Sequence, residues 1–391
     1  MKKFLRFTPI KLLTVLLVVL SCSSIENCNA QLASLPIPAK YLPSESVLTT
    51  YRQQELIAKR GAYDLTKSLP PGYVTDGSVD YTQNLQQGIN KNTNIILPNF
   101  PVQINSAGLS LRSNTTVIFD EKSELVLMPN SDPGGQMLML KNLENIKIYF
   151  PVLKGDREKH LGTKGEWGMG INLDGCLNVQ IINPKVSDCW GDGMYFGKNS
   201  PAINRNIDIL YAQMDHNRRN GISVICANGL KLISPVITNS NGILPMAGID
   251  FEPNDNNDEI NNIEIDNPIT FNNSYGIAVA LDRFAGKAIK NVNIKITNHL
   301  DDNSKNSMLF IFSQQASNSV YAGSILVDNP VWKNTQNGFA YEVKSARNGL
   351  KIKFSNIKMM KKDANGHEIS DDEKLLSAKN IIKKELKADV K

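Results

Sequence analysis

Asp192, Asp250 and Glu252, with Arg218, Arg219 and His216, fall in the segment from Asp192 to Glu252 of a 391-residue chain. Asp250 and Glu252 lie two residues apart, and in an extended strand that spacing puts both side chains on one face with α-carbons about 6.8 Å apart. Carboxyl groups held roughly 6.5 to 9.5 Å apart suit inverting glycoside hydrolysis, where one protonates the leaving oxygen and the other activates water. Crowding like charges also raises one pKa and so supplies the proton donor. Asp192 comes from Asp188-Cys189-Trp190-Gly191-Asp192, and Arg218 and Arg219 from Asp215-His216-Asn217-Arg218-Arg219-Asn220. Guanidinium forks hold carboxylate or sulfate, so these arginines are candidates to clamp an acidic sugar, or else to neutralise Asp192 and Asp250. His216 is a candidate acid or base. Tyr195 and Trp190 carry rings that can stack on a sugar, although Trp190 equally suits packing. The run from Asp255 to Glu259 can be read as oxygen ligands for Ca²⁺ or as an Asn-rich turn, and no metal site is assigned to it.

A repeat positions these residues. Glycine, apolar, variable, apolar recurs at Gly170-Ile171-Asn172-Leu173, Gly193-Met194-Tyr195-Phe196, Gly221-Ile222-Ser223-Val224, Gly248-Ile249-Asp250-Phe251 and Gly276-Ile277-Ala278-Val279, in steps of 23, 28, 27 and 28 residues. Such a period means a solenoid, and its alternation is that of strands with one buried face. Stacked about 4.8 Å apart, the strands would line up Asn172, Tyr195, Ser223 and Asp250 in an exposed column, with Asp174 and Glu252 in the next. Asn172, Asp174 and Ser223 are therefore candidate substrate contacts, and Asp192 would lie two coils from Asp250. The loop Gly155-Asp156-Arg157-Glu158-Lys159-His160, which precedes Glu166-Trp167, converges on the same wall. Beyond Glu252 the outward positions turn apolar, at Ala278, Ala280, Leu309 and Ile311. A second phrase, Asn or Gly before an apolar residue, opens each coil at Asn145, Asn178, Asn206, Gly229, Asn262, Asn291 and Gly349. The fold expected is an all-β, single-stranded right-handed parallel β-helix over 94–360 with a helical cap over 46–93. In that cap Ser46 to Arg60 reads as an amphipathic helix, and Asp80 to Lys91 as a second one opened by an Asp80/Gln83 capping box.

From about Tyr73 to Met360 the chain resembles the pectate-lyase-like superfamily of right-handed β-helices. Val74-Thr75-Asp76-Gly77, followed by a helix and Ile95-Ile96-Leu97-Pro98, is similar to the opening segment of that superfamily. Asn172-Leu173-Asp174 and Gly191-Asp192-Gly193 resemble the first elements of the polygalacturonase-type glycoside hydrolases. Arg219-Asn220-Gly221 stands where those enzymes carry Gly-His-Gly, and no Arg-Ile-Lys follows. Asn217 to Ile222 and Asp250-Phe251-Glu252-Pro253 resemble, in a different order, elements of mannuronan epimerases and related lyases. There a proton is abstracted next to a carboxylate while arginine or Ca²⁺ neutralises the charge. The resemblance implies a polysaccharide-active enzyme, with hydrolysis expected first, lyase or C5-epimerase chemistry second, and a glycan-binding solenoid without turnover third.

Lys2, Lys3, Arg6 and Lys11 precede an apolar run from Leu12 to Leu20, the layout of an export signal over 1–21. Val19-Leu20-Ser21-Cys22 resembles a lipoprotein box, with cleavage after Ala30 as the alternative, and 22–45 reads as a tether. The expected location is the periplasm or outer membrane of a Gram-negative bacterium. Without residues 1–21 the +5 formal charge falls to 39 basic against 38 acidic residues, so no basic field argues for nucleic acid. Cys176, Cys189 and Cys226 match no zinc spacing and read as buried wall residues, with a disulfide in an oxidising periplasm as the alternative. The partner expected is a polysaccharide, the protein a monomer without cofactor, with Ca²⁺ entering only for a lyase. The charged tail over 361–391 is read as a capping helix or a frayed end.

Overall fold

On five successive coils, at Gly170, Gly193, Gly221, Gly248 and Gly276, a glycine begins the wall strand because there is no room for a side chain there, whereas Ser307 holds the equivalent position on the next coil. A Cβ on Gly193 would stand 2.8 Å from the carbonyl oxygen of Gly221, and one on Gly248 would stand 2.6 Å from that of Gly276. Each coil closes against the backbone of the next, which is the demand that fixes glycine at this spacing. The strands that follow are β1 (Ile171–Asp174), β2 (Met194–Asn199), β3 (Ile222–Val224), β4 (Ala247–Phe251), β5 (Tyr275–Ala280) and β6 (Asn306–Phe312). They pair in parallel, each with the next.

The computed structural model describes residues 33–391 apart from 285–287, 313–320 and 344–348. The expected export signal, Cys22 and the first part of the tether lie outside the described residues. What is described is a right-handed parallel β-helix whose coils contribute strands to three walls. Inward side chains stack from coil to coil: Leu140, Leu173, Phe196, Val224, Phe251, Val279 and Phe310 succeed one another in register, all fully buried. Burying each such side chain contributes about 1.5–3 kcal/mol. The turns between walls need left-handed backbone, which asparagine tolerates better than other non-glycine residues. Asn145, Asn178 and Asn206 occupy one corner with φ between 53° and 58°, and their side-chain amides bond one to the next along the axis.

Helix α1 (Glu45–Lys59) lies on the outside of the coils, inserting Leu48 among Ile118, Tyr149, Phe150 and Ile182. Helix α2 (Thr82–Lys91) covers the open N-terminal end with Leu85 and Ile89 in the main core. The expected Asp80/Gln83 box does not form. The helix starts two residues later, and Asp80 Oδ1 instead accepts the backbone N–H and the hydroxyl of Thr82 at 2.9 and 2.5 Å, a tighter local turn. At the other end the charged tail forms helix α3 (Asp372–Lys384), with Ala378 and Ile382 buried. The described part of the expected tether is no free linker. Asn239 bonds both the N–H and the carbonyl of Leu35, and Tyr41 packs on Val236 and Phe271 while donating its hydroxyl to Asp302 at 2.5 Å. Outward apolar residues on that wall, Val236, Ile269 and Leu300 among them, give the segment something to cover.

Candidate active site

The outward residues of β1 to β4 align as expected, with Asn172, Tyr195, Ser223 and Asp250 in register. The column is not exposed, however. Asn172 is 3% accessible, and Ser223 and Asp250 are fully buried. Loop residues Glu166, Trp167, Leu244 and Pro245 line, with Tyr195, Arg219, Asp250 and Glu252, a cleft of about 540 Å³ on this wall.

Arg219 is the hub of this cleft. Its guanidinium bonds Glu252, lies 3.3 Å from Asp192 Oδ2, and has Glu166 Oε2 3.6 Å from Nε. These carboxylates hold its pKa even higher than usual, so it stays charged. Asp192, fully buried, also accepts the backbone N–H of Asn220 at 2.9 Å, and burial pushes its pKa up. Asp250 is pushed up further: burial is the main cause, and the Glu252 carboxyl within hydrogen-bonding reach adds to it.

The position of the Asp250 proton follows from Asn220. The N–H of Ala247 donates to Asn220 Oδ1 at 2.8 Å, which orients the side-chain amide. Its Nδ2 then donates to Ser223 Oγ at 3.0 Å and to Asp250 Oδ2 at 3.1 Å. Oδ2 is thus an acceptor, while no N–H or O–H of the described residues reaches Oδ1. A proton on Asp250 therefore belongs on Oδ1. The carboxyl groups of Asp250 and Glu252 touch rather than standing 6.5 to 9.5 Å apart. Arg219 holds the Glu252 head and Asn220 the Asp250 head.

Other expected site residues fall elsewhere. Arg218 points away from Arg219. It bonds the carbonyl of Gly165 at 2.7 Å and lies 3.7 Å above the Trp190 ring, which also stacks on His160 at 3.9 Å. Trp190 is therefore engaged by its own chain, and neither it nor Arg218 lines the cleft. His216 is a corner residue with φ of 55°, its Nδ1 2.7 Å from Asp188 Oδ1. Ser223 links Asn220 internally, and Asn172 bonds Asp174 at 2.8 Å three strands from Asp250. Burial raises the Asp174 pKa and pushes Tyr195 up to about 12. In the 255–259 run, Asp258 accepts two backbone N–H groups and pairs with Lys198 at 2.6 Å, the pattern of an ion-paired turn. The three body cysteines are buried free thiols. Sequence reasoning did not single out Glu166, Trp167, Asn220 or Arg283. For Glu166 and Trp167 the signal was their place at the end of a loop already seen to converge on this wall.

No family model matches the chain. A 162-residue stretch is 29% identical to the uncharacterised protein YclG of Bacillus subtilis strain 168, covering 38% of this chain and 28% of that protein. A second uncharacterised protein of that strain, the prophage-derived YorA, is 28% identical over 162 residues and is likewise matched over 28% of its length. Among solved structures, the N-terminal fragment of bacteriophage phi29 gene product 12 superposes with a TM-score of 0.56 at 14% identity, over 81% of this chain and 65% of that one. Endo-xylogalacturonan hydrolase from Aspergillus tubingensis gives 0.56 at 13% identity, over 76% and 84%. The fold is that of the pectate-lyase-like β-helix proteins.

Proposed function

We propose that the protein is an exported enzyme that hydrolyses glycosidic bonds in an acidic polysaccharide, with the Asp250–Glu252 pair as proton donor. The observation that carries this reading is the Asp250 carboxyl. It is buried at the cleft, held by Asn220 through one oxygen, and left without a donor at the other. Burial and the neighbouring Glu252 carboxyl push its pKa well above the usual carboxylate range, the direction that general acid catalysis requires. In turnover the Asp250 O–H bond breaks as the proton passes to the glycosidic oxygen, and the bond from that oxygen to the anomeric carbon breaks with it. A water molecule gives a proton to the Glu166 carboxylate and its hydroxyl to the anomeric carbon, leaving a new reducing end. Trp167, 56% accessible, is the ring available for stacking on sugar.

A lyase or epimerase needs a base beside the substrate carboxylate, and the candidates fit that role poorly. Tyr195 is pushed up to about 12, Arg219 is fixed in its charged form, and His216 faces Asp188 outside the cleft. The test is to incubate the protein with a panel of uronic-acid polysaccharides, reading reducing ends together with the absorbance of unsaturated products. Reducing ends without absorbance, lost in Asp250→Asn, are expected; absorbance from the wild type contradicts hydrolysis. Binding without either signal, unchanged in Asp250→Asn and Glu252→Gln, would make the protein a glycan-binding solenoid. Lipid attachment at Cys22 is tested by detergent partitioning of a Cys22→Ala variant.

A further inference from the structure

The expected clamp for an acidic sugar, Arg218 and Arg219, is committed internally. Arg218 is bound to carbonyls and stacked on Trp190, and Arg219 is surrounded by Glu166, Asp192 and Glu252. With Asp250 beside them, carboxylates outnumber cations at the centre of the cleft. An anionic sugar placed there would meet like charge without a free partner.

One coil further on the chemistry changes. Ala278 takes the register position of Asp250, and Leu309 follows it. Ala280, Leu309 and Ile311 line the same cleft, together with Asp282 and Arg283. Arg283 is exposed and, among the described residues, has no ion-pair partner. An exposed guanidinium lining a cleft with apolar residues suits a sugar that lays its C–H face down and turns a carboxylate outward. The rise of one coil, about 4.8 Å, is close to that of one sugar residue in an extended chain.

Building on the reading of the cleft as a glycan site, we propose that it selects a mixed glycan, with a neutral sugar held at Asp250 and Glu252. The uronate lies one coil toward the C-terminus, over Ala278 and Ala280 with its carboxylate on Arg283. The bond that is cut thus flanks a neutral residue, and a polymer of uronate alone is a poor ligand because it forces an anion against Glu252 and Glu166.

Three oligosaccharides of equal length test this by calorimetry: one alternating uronate with neutral sugar, one of uronate only, and one neutral. The alternating one is expected to bind wild type about ten-fold tighter than the uronate-only one. Arg283→Gln should weaken the alternating one by about ten-fold, Arg283→Lys by less, and neither should affect the neutral one. Glu252→Gln should tighten the uronate-only one. Equal affinity of wild type for the alternating and uronate-only probes, indifference to Arg283→Gln, or binding of none of the three overturns the proposal. Reducing-end release, read in parallel, keeps the two readings apart. Arg283-dependent binding without release leaves the subsite and removes hydrolysis, whereas release from the uronate-only probe at full rate removes the subsite and leaves hydrolysis.

Discussion

Two aspartates of this solenoid, Asp250 and Asp301, are both fully buried and both raised in pKa chiefly by burial, yet they are built differently. Asp301 faces an interior polar cluster in which every acceptor is served. Thr270 and Ser304 donate to its Oδ1 at 2.7 and 2.6 Å, and Ser307 donates to Oδ2 at 2.9 Å. The indole N–H of Trp332 donates to His299 Nδ1, so the imidazole hydrogen sits on Nε2 and donates to Thr270, whose own hydrogen goes to Asp301. Asp250, which lines a cleft, has one oxygen served by Asn220 and one buried without a donor. Burial alone does not mark a functional carboxyl. Asp156 and Asp258 also keep an unserved oxygen but pair with His160 and Lys198, so what sets Asp250 apart is an unserved oxygen without a cation bound to that carboxyl, as an acid that must give up its proton requires.

The largest expected effect that separates the two is on turnover. Asp250→Asn should lower kcat by roughly 10²- to 10⁴-fold with the urea midpoint nearly unchanged, while Asp301→Asn should leave kcat within a few-fold. The reverse pattern would break the distinction. Next is stability. Asp301→Ala leaves three hydroxyl donors without their acceptor and should cost roughly 3 kcal/mol in urea unfolding, more than Asp250→Ala does.

The pH dependence of folding sharpens the same point. Asp301 is raised to about 7, against about 3.9 for an unfolded aspartate, so the folded protein holds a proton that the unfolded chain releases. Its contribution is therefore complete below about pH 4 and is lost as pH rises towards 7, at up to about 1.4 kcal/mol per pH unit. Asp301→Asn should flatten that slope, checked by urea midpoints across the range. Smallest is the rim: Trp167→Ala should raise KM about five-fold, near 1 kcal/mol, and leave kcat alone.

How much of this could be read from the chain follows from what each feature depends on. The coil repeat was legible because every glycine answers the same backbone contact, as at Gly193 and Gly248. Asp250 and Glu252 were legible as a pair because two residues along a strand always share a face. Arg218 and Arg219 were not separable. They lie between strands, where no period says that one turns to Trp190 and the other to Asp192. Neither the burial of the polar column nor the approach of Glu166 follows from the repeat, because loops outside it form the sides of the cleft. The segment near Leu35 binds Asn239, 204 residues away, and no local pattern announces so distant a contact.

The most direct measurement is the titration of Asp250 itself. Carboxyl ¹³C shifts of aspartate-labelled protein should show a resonance, absent in Asp250→Asn, that stays protonated well above the usual carboxylate range. It should move to lower pH when Glu252→Gln removes the neighbouring charge. An Asp250 signal that ionises near pH 4, indifferent to Glu252, would contradict the assignment of this carboxyl as the proton donor.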